Sequence, residues 1–69
     1  MTVGETLKAL RTGAGLRLKD LAERTDYSVT HLSDLENQKQ SPTIRTLQKV
    51  CADLGVSLSE FFWCMEERE

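Results

Sequence analysis

Apolar positions recur along this chain at helical intervals, and nowhere do they alternate as a half-buried strand would. Val3, Leu7 and Leu10 mark one face of a first helix, with Thr2 placed to cap it and Glu5 at capping-box spacing. That helix should end near Thr12-Gly13, because Gly13 and Gly15 favour the left-handed backbone that closes helices. Leu16 then plugs the core from the connecting loop. Leu18, Leu21, Ala22 and Thr25 form the stripe of a second helix, for which Arg17 is a poor N-cap. Asp26-Tyr27 interrupts the pattern. Ser28 caps a third helix, whose inner stripe is Val29, Leu32, Leu35 and Glu36. The polar stretch from Gln38 to Pro42 reads as a loop. Ser41 or Thr43 caps a fourth helix, with Pro42 tolerated near its start. Ile44, Leu47, Val50, Cys51 and Leu54 are its expected buried stripe, and Gly55 ends it. Ser57 to Glu60 is a second capping box, opening a fifth helix (about 58–67) with Leu58, Phe61, Phe62 and Met65 on one face. Trp63 falls roughly 140° from that face at helical periodicity, so it either tucks against a neighbouring helix or joins an interface.

The second and third helices are too short to be stable alone in water, so each must bury its stripe against the other and against the flanking helices. Ala22 allows two helix backbones to approach closely. Two short helices, a tight turn and an open outer face on the second of them make a helix-turn-helix, a unit suited to the DNA major groove. The same spacing also fits a plain αα-hairpin inside a small bundle. With Leu32 facing inward, Thr30, Asp34 and Asn37 point most nearly outward, with Ser33 and His31 on the flanks.

A chain of 69 residues holds one small core, so 1–69 is expected to be one domain that gains from tight packing or dimerisation. The apolar fraction of 39% and the charged fraction of 29% fit a soluble globular protein. No apolar run approaches a membrane span and no signal-peptide pattern opens the chain, which points to the cytoplasm. Cys51 and Cys64 are too few for a disulfide framework, and with one histidine they cannot supply four zinc ligands, so no metal is expected. A single histidine, no nucleophile–base pair and no glycine-rich phosphate loop leave little from which to assemble a catalytic site, so an enzyme is a distant third reading and none is expected. The formal net charge of −2 runs against the basic balance common in nucleic-acid binders. Its excess is local, because Glu66, Glu67 and Glu69 outweigh Arg68 in the last four residues and the preceding 65 are neutral.

Arg11, Leu21-Ala22-Glu23, Ser28, Leu35-Glu36-Asn37, Ser41-Pro42-Thr43 and Leu54-Gly55-Val56-Ser57 occur in an order that resembles the phage-repressor-like helix-turn-helix family, the Cro/repressor or XRE type. The resemblance runs from about Val3 to Phe62. It implies an all-α, compact five-helix bundle, lambda-repressor-like, with the helix-turn-helix in helices two and three. Stand-alone restriction–modification controller proteins and the N-terminal domains of longer repressors are both similar. The implied activity is sequence-specific binding of double-stranded DNA by a transcriptional regulator, acting as a homodimer on a pseudo-palindromic operator. No cofactor and no small-molecule ligand are implied.

Carried over position by position, the resemblance places Ser28, Val29, Thr30, His31, Ser33 and Asp34 at the base-reading helix, and Asn37 and Lys39 where the sugar–phosphate backbone is contacted. Val29 suits a thymine methyl, while Thr30 and Ser33 can hydrogen-bond to bases or phosphates. Asp34 could accept from a cytosine amino group or hold a neighbouring basic side chain in place. His31 reads as a polar surface group. Arg11 and Glu36 resemble the family's buried ion pair. Phe61, Phe62, Trp63 and Met65, with Leu58, are the residues to be divided between core and dimer contact. Three positions depart from the family pattern. Leu18 replaces a phosphate-reaching glutamine, and Asp26 and Gln38 replace glycines. A competing reading, motivated by the charge balance and Asp34, is a helix-turn-helix that binds another protein, as an antitoxin or anti-repressor.

Overall fold

The computed structural model describes residues 1–67. Their five helices are α1 (Val3–Gly13), α2 (Leu18–Thr25), α3 (Val29–Glu36), α4 (Ile44–Leu54) and α5 (Leu58–Glu67), with no strand among the described residues. Arg68 and Glu69, which were counted in the acidic terminus, lie outside those residues. α1 packs against α3 and α5, α2 against α3 and α4, and α4 against α5. None of the helices is long and apolar enough to cross a membrane.

The helix starts follow the capping pattern. Thr2 Oγ1 accepts from the Glu5 N–H at 3.1 Å and the Glu5 carboxylate accepts from the Thr2 N–H at 2.8 Å. Ser28 caps α3, its Oγ accepting from the His31 N–H at 2.9 Å. Thr43, rather than Ser41, caps α4 by accepting from the Thr46 N–H at 3.1 Å. Ser57 and Glu60 exchange bonds of 3.0 and 3.2 Å at α5. At α2 the cap residue Arg17 has no acceptor to offer, and the third helical residue closes the start instead. Asp20 Oδ2 accepts from the Arg17 N–H at 2.9 Å while its other oxygen meets the guanidinium at 3.1 Å. Those bonds from Arg17 pull the Asp20 carboxyl down from 3.8 to about 2. A depressed carboxylate supports the fold above its ordinary value and loses that support only as pH falls toward the lower one.

The helix ends use left-handed residues, and not all of them are glycine. Gly15, Asp26, Gln38 and Gly55 have positive φ. Three of these ends share one geometry: Leu16 and Gly15 donate to Arg11 and Thr12, Lys39 and Gln38 to Asp34 and Leu35, and Val56 and Gly55 to Cys51 and Ala52. These are Schellman closures, which normally place glycine at the left-handed position. Gln38 occupies it at φ 65°, where a β-carbon is crowded. Gln38→Gly is therefore expected to stabilise the fold by roughly 0.5–1 kcal/mol, the relieved strain exceeding the added freedom of the unfolded chain. Urea titration of the two proteins checks this, and an unchanged or lowered midpoint would show that Gln38 sits there without strain.

The core consists of Leu7 from α1, Leu21 from α2, Leu32 and Leu35 from α3, Leu47, Val50 and Cys51 from α4 and Phe61 from α5. Val3, Leu10, Leu18, Ala22, Tyr27, Leu54, Val56, Leu58, Phe62 and Met65 pack partly buried around it. Three expectations are corrected. Val29, placed on the buried stripe of α3, is 43% exposed, because it opens the helix beside the turn and points away from the core. Ile44 is not buried with its stripe but 60% exposed, because the stripe of α4 runs on past the helices that cover it. Phe61, considered for a dimer contact, has no exposed surface and packs edge-to-face on Phe62 at 5.4 Å between ring centroids. Cys51 and Cys64 are free thiols, and burial pushes the Cys51 thiol up to about 11.

Candidate nucleic-acid interface

The turn between α2 and α3 is set by two short side chains. Asp26 takes the left-handed conformation at φ 64° that closes α2, its N–H donating to the Ala22 carbonyl. Aspartate tolerates this backbone better than most residues, so the turn forms without the family's glycine. Thr25, fully buried, donates its hydroxyl to the Leu21 carbonyl at 2.8 Å and accepts from the Tyr27 N–H at 3.3 Å. The chain then passes directly into the Ser28 cap of α3.

α3 is divided lengthwise. Leu32, Leu35 and Glu36 are buried beneath it. Ser28, Val29, Thr30, Asn37 and Lys39 are exposed, and His31, Ser33 and Asp34 are half-buried. All eight residues singled out from the sequence thus lie on or beside one helix, with none sealed in the core. Asn37 donates its amide to Ser33 Oγ at 3.2 Å, joining two of them. The His31 ring lies 5.2 Å from the Tyr27 ring, and the Lys49 ammonium of α4 stands 5.2 Å from that same tyrosine's centroid. Lys49 and Tyr27 were not among the expected site residues; Tyr27 stands four residues before His31, a spacing visible in the sequence, whereas the place of Lys49 over Tyr27 depends on how α4 crosses the turn.

Two features fix α3 from behind. Arg11 Nε donates to Glu36 Oε2 at 2.7 Å and its Nη2 to Oε1 at 3.1 Å, so the guanidinium fork engages both carboxylate oxygens. A third donor reaches the Leu16 carbonyl at 2.8 Å. The pair is buried, with side-chain exposures of 10% and 6%. Gly4 is the second feature. A β-carbon there would press on the backbone carbonyl oxygens of Leu35 and Glu36, so α1 meets the last turn of α3 backbone to backbone. The only sequence signal for this was a glycine inside a helical pattern, which often marks a packing reason.

A short helix with a buried underside and an open polar face, carried on a tight turn from a supporting helix, defines the class of helix-turn-helix DNA-binding domains. The helix-turn-helix family profile matches residues 7–61, and the chain belongs to that family. It is 40% identical over 60 residues to the HTH-type transcriptional regulator DdrOP3 of Deinococcus deserti, an alignment covering 87% of this chain and 46% of that protein. Similarity to the immunity repressor protein of Bacillus phage phi105 is 37% over 59 residues, covering 86% and 41%. The control protein C.MunI of Mycoplasma sp is 35% identical over 65 residues, covering 93% of this chain and 88% of its own length. The chain thus spans less than half of the first two relatives and most of the third.

Proposed function

We propose that this chain is a sequence-specific transcriptional regulator that binds double-stranded DNA as a homodimer, placing α3 of each protomer in successive major grooves of a pseudo-palindromic operator. The observation that carries this reading is the lengthwise division of α3. Its apolar and ionic underside is spent on the fold, while Thr30, Ser33, Asp34 and Asn37 stay accessible. Half-sites separated by one helical turn, roughly 34 Å, match the two-fold symmetry of such a dimer. The names of the relatives, regulators and a phage repressor, support the same activity. Lys39 is exposed beyond the end of α3, which supports a contact with the sugar–phosphate backbone.

Dimerisation draws on the apolar surface that the fold leaves uncovered. With Phe61 assigned to the core, Trp63 (63% exposed), Phe62 and Met65 are the residues of α5 available for it. Ile44 and Phe62 share the wall of an open groove of about 370 Å³ with Val3, Pro42 and Leu47, which extends the apolar surface from α5 to the start of α4.

Selection of binding sites from a random duplex library, followed by a salt titration of the selected site, tests the reading. The expected result is a two-fold symmetric site whose affinity falls steeply with added salt, in proportion to the phosphates neutralised. The formal net charge of −2 favours the alternative, a module that binds another protein. Failure to enrich any duplex at low salt would overturn the DNA-binding reading and favour that alternative.

A further inference from the structure

We infer that the Asp34 carboxylate is the base-selecting group of α3 and that it favours cytosine at one position of each half-site. This rests on the proposal that α3 enters the major groove. Asp34, half-buried, lies on the same arc of the helix as exposed Thr30 and Asn37, opposite buried Leu32. Its backbone carbonyl is engaged, accepting from the Lys39 N–H at 2.8 Å. Its carboxylate is not. No hydrogen bond or ion pair holds it among the described residues, although Lys39 is five residues away and Ser33 and Asn37 bond to each other beside it.

That absence decides between two roles. An acidic residue on a DNA-facing helix could serve to orient a basic neighbour, and no basic neighbour is oriented here. The position is also unfavourable for a carboxylate on other grounds. It falls in the last turn of α3, which carries no basic residue, and the negative end of a helix repels an anion. Phosphates flanking the groove repel it again. A group disfavoured by both the fold and the ligand's backbone gains from duplex DNA only by meeting a hydrogen-bond donor, and there only base edges provide one.

Cytosine offers the N4 amino group in the major groove. Guanine presents two acceptors, N7 and O6, and thymine an acceptor and a methyl group. A carboxylate therefore accepts well from cytosine and is repelled by guanine and thymine. Adenine places an acceptor beside its donor and is intermediate. Discrimination by one such contact corresponds to roughly 5- to 150-fold in affinity between cytosine and guanine.

The test repeats the site selection with Asp34→Asn and Asp34→Ala, both of which leave the core and the Arg11–Glu36 pair untouched. The wild-type protein is expected to enrich cytosine at one position per half-site. Asparagine can donate as well as accept, and should move that same position toward adenine. Alanine should flatten it, leaving the rest of the site unchanged. Both variants should melt higher than the wild type and bind random duplex more tightly, because a repulsive charge is gone. An unchanged base preference in both variants overturns the inference while leaving DNA binding in place. Failure of all three proteins to select any duplex overturns it together with the proposed function.

Discussion

Arg11→Ala should lower the stability of the fold by about 3–5 kcal/mol, the typical result of breaking a buried ion pair from one side. The Glu36 carboxylate, 6% exposed, would lose the fork that meets both its oxygens, and the Leu16 carbonyl would lose its donor as well. A domain of this length has a total stability of roughly 3–10 kcal/mol, so the substitution removes about three-tenths of it at the least. Arg11→Lys should recover only part of the loss, since an ammonium cannot reproduce the planar bidentate contact. Chemical denaturation followed by circular dichroism reads both. A midpoint that did not move for Arg11→Ala would mean that water reaches Glu36.

The second large effect is a reversal of sign. By helix propensity alone, Gly4→Ala in α1 should stabilise the protein by roughly 0.5–1 kcal/mol. Packing predicts the opposite. The new methyl group would be forced against the carbonyl oxygens of Leu35 and Glu36, which are backbone atoms with no rotamer to escape into. Overpacking of this kind costs about 1–3 kcal/mol, and α1 must lift away from α3 to relieve it. Gly13→Ala is the matched control, because nothing lies within 4 Å of a β-carbon there and its φ is not positive. The Gly4 variant should melt well below the wild type and the Gly13 variant at or above it. Equal midpoints would show that the α1–α3 contact is looser than its geometry.

How much of this could be read from the residue order depended on the range of the interaction. Caps and stripes are set within a few residues, and Thr2, Ser28, Thr43 and Ser57 cap their helices as the spacing indicates. The pairing of Arg11 with Glu36 spans 25 residues and could be anticipated only through the family resemblance. What local pattern could not convey was where an apolar stripe ceases to be covered. Ile44 continues the period of Leu47, Val50 and Cys51, yet sits where no other helix extends over it. Trp63 is off the inner face of α5 and stays largely exposed. The start of α2 failed differently. Arg17 is a poor cap by every propensity, and the closure came from Asp20 reaching backward. The acid three residues on had been available as a signal.

The same separation of faces has a consequence for how such a protein changes over time. Because the underside of α3 is committed to the scaffold and the side chains of Thr30, Ser33, Asp34 and Asn37 make no bond to the core, the face proposed to read DNA and the body that displays it can vary independently. On the proposed reading of α3, exchanging the residues at positions 30 and 34 would redirect the domain to a different operator without spending stability, and in the case of position 34 would add to it. New specificities are therefore within reach of single substitutions, and the barrier to acquiring one lies in the operator having to change in step.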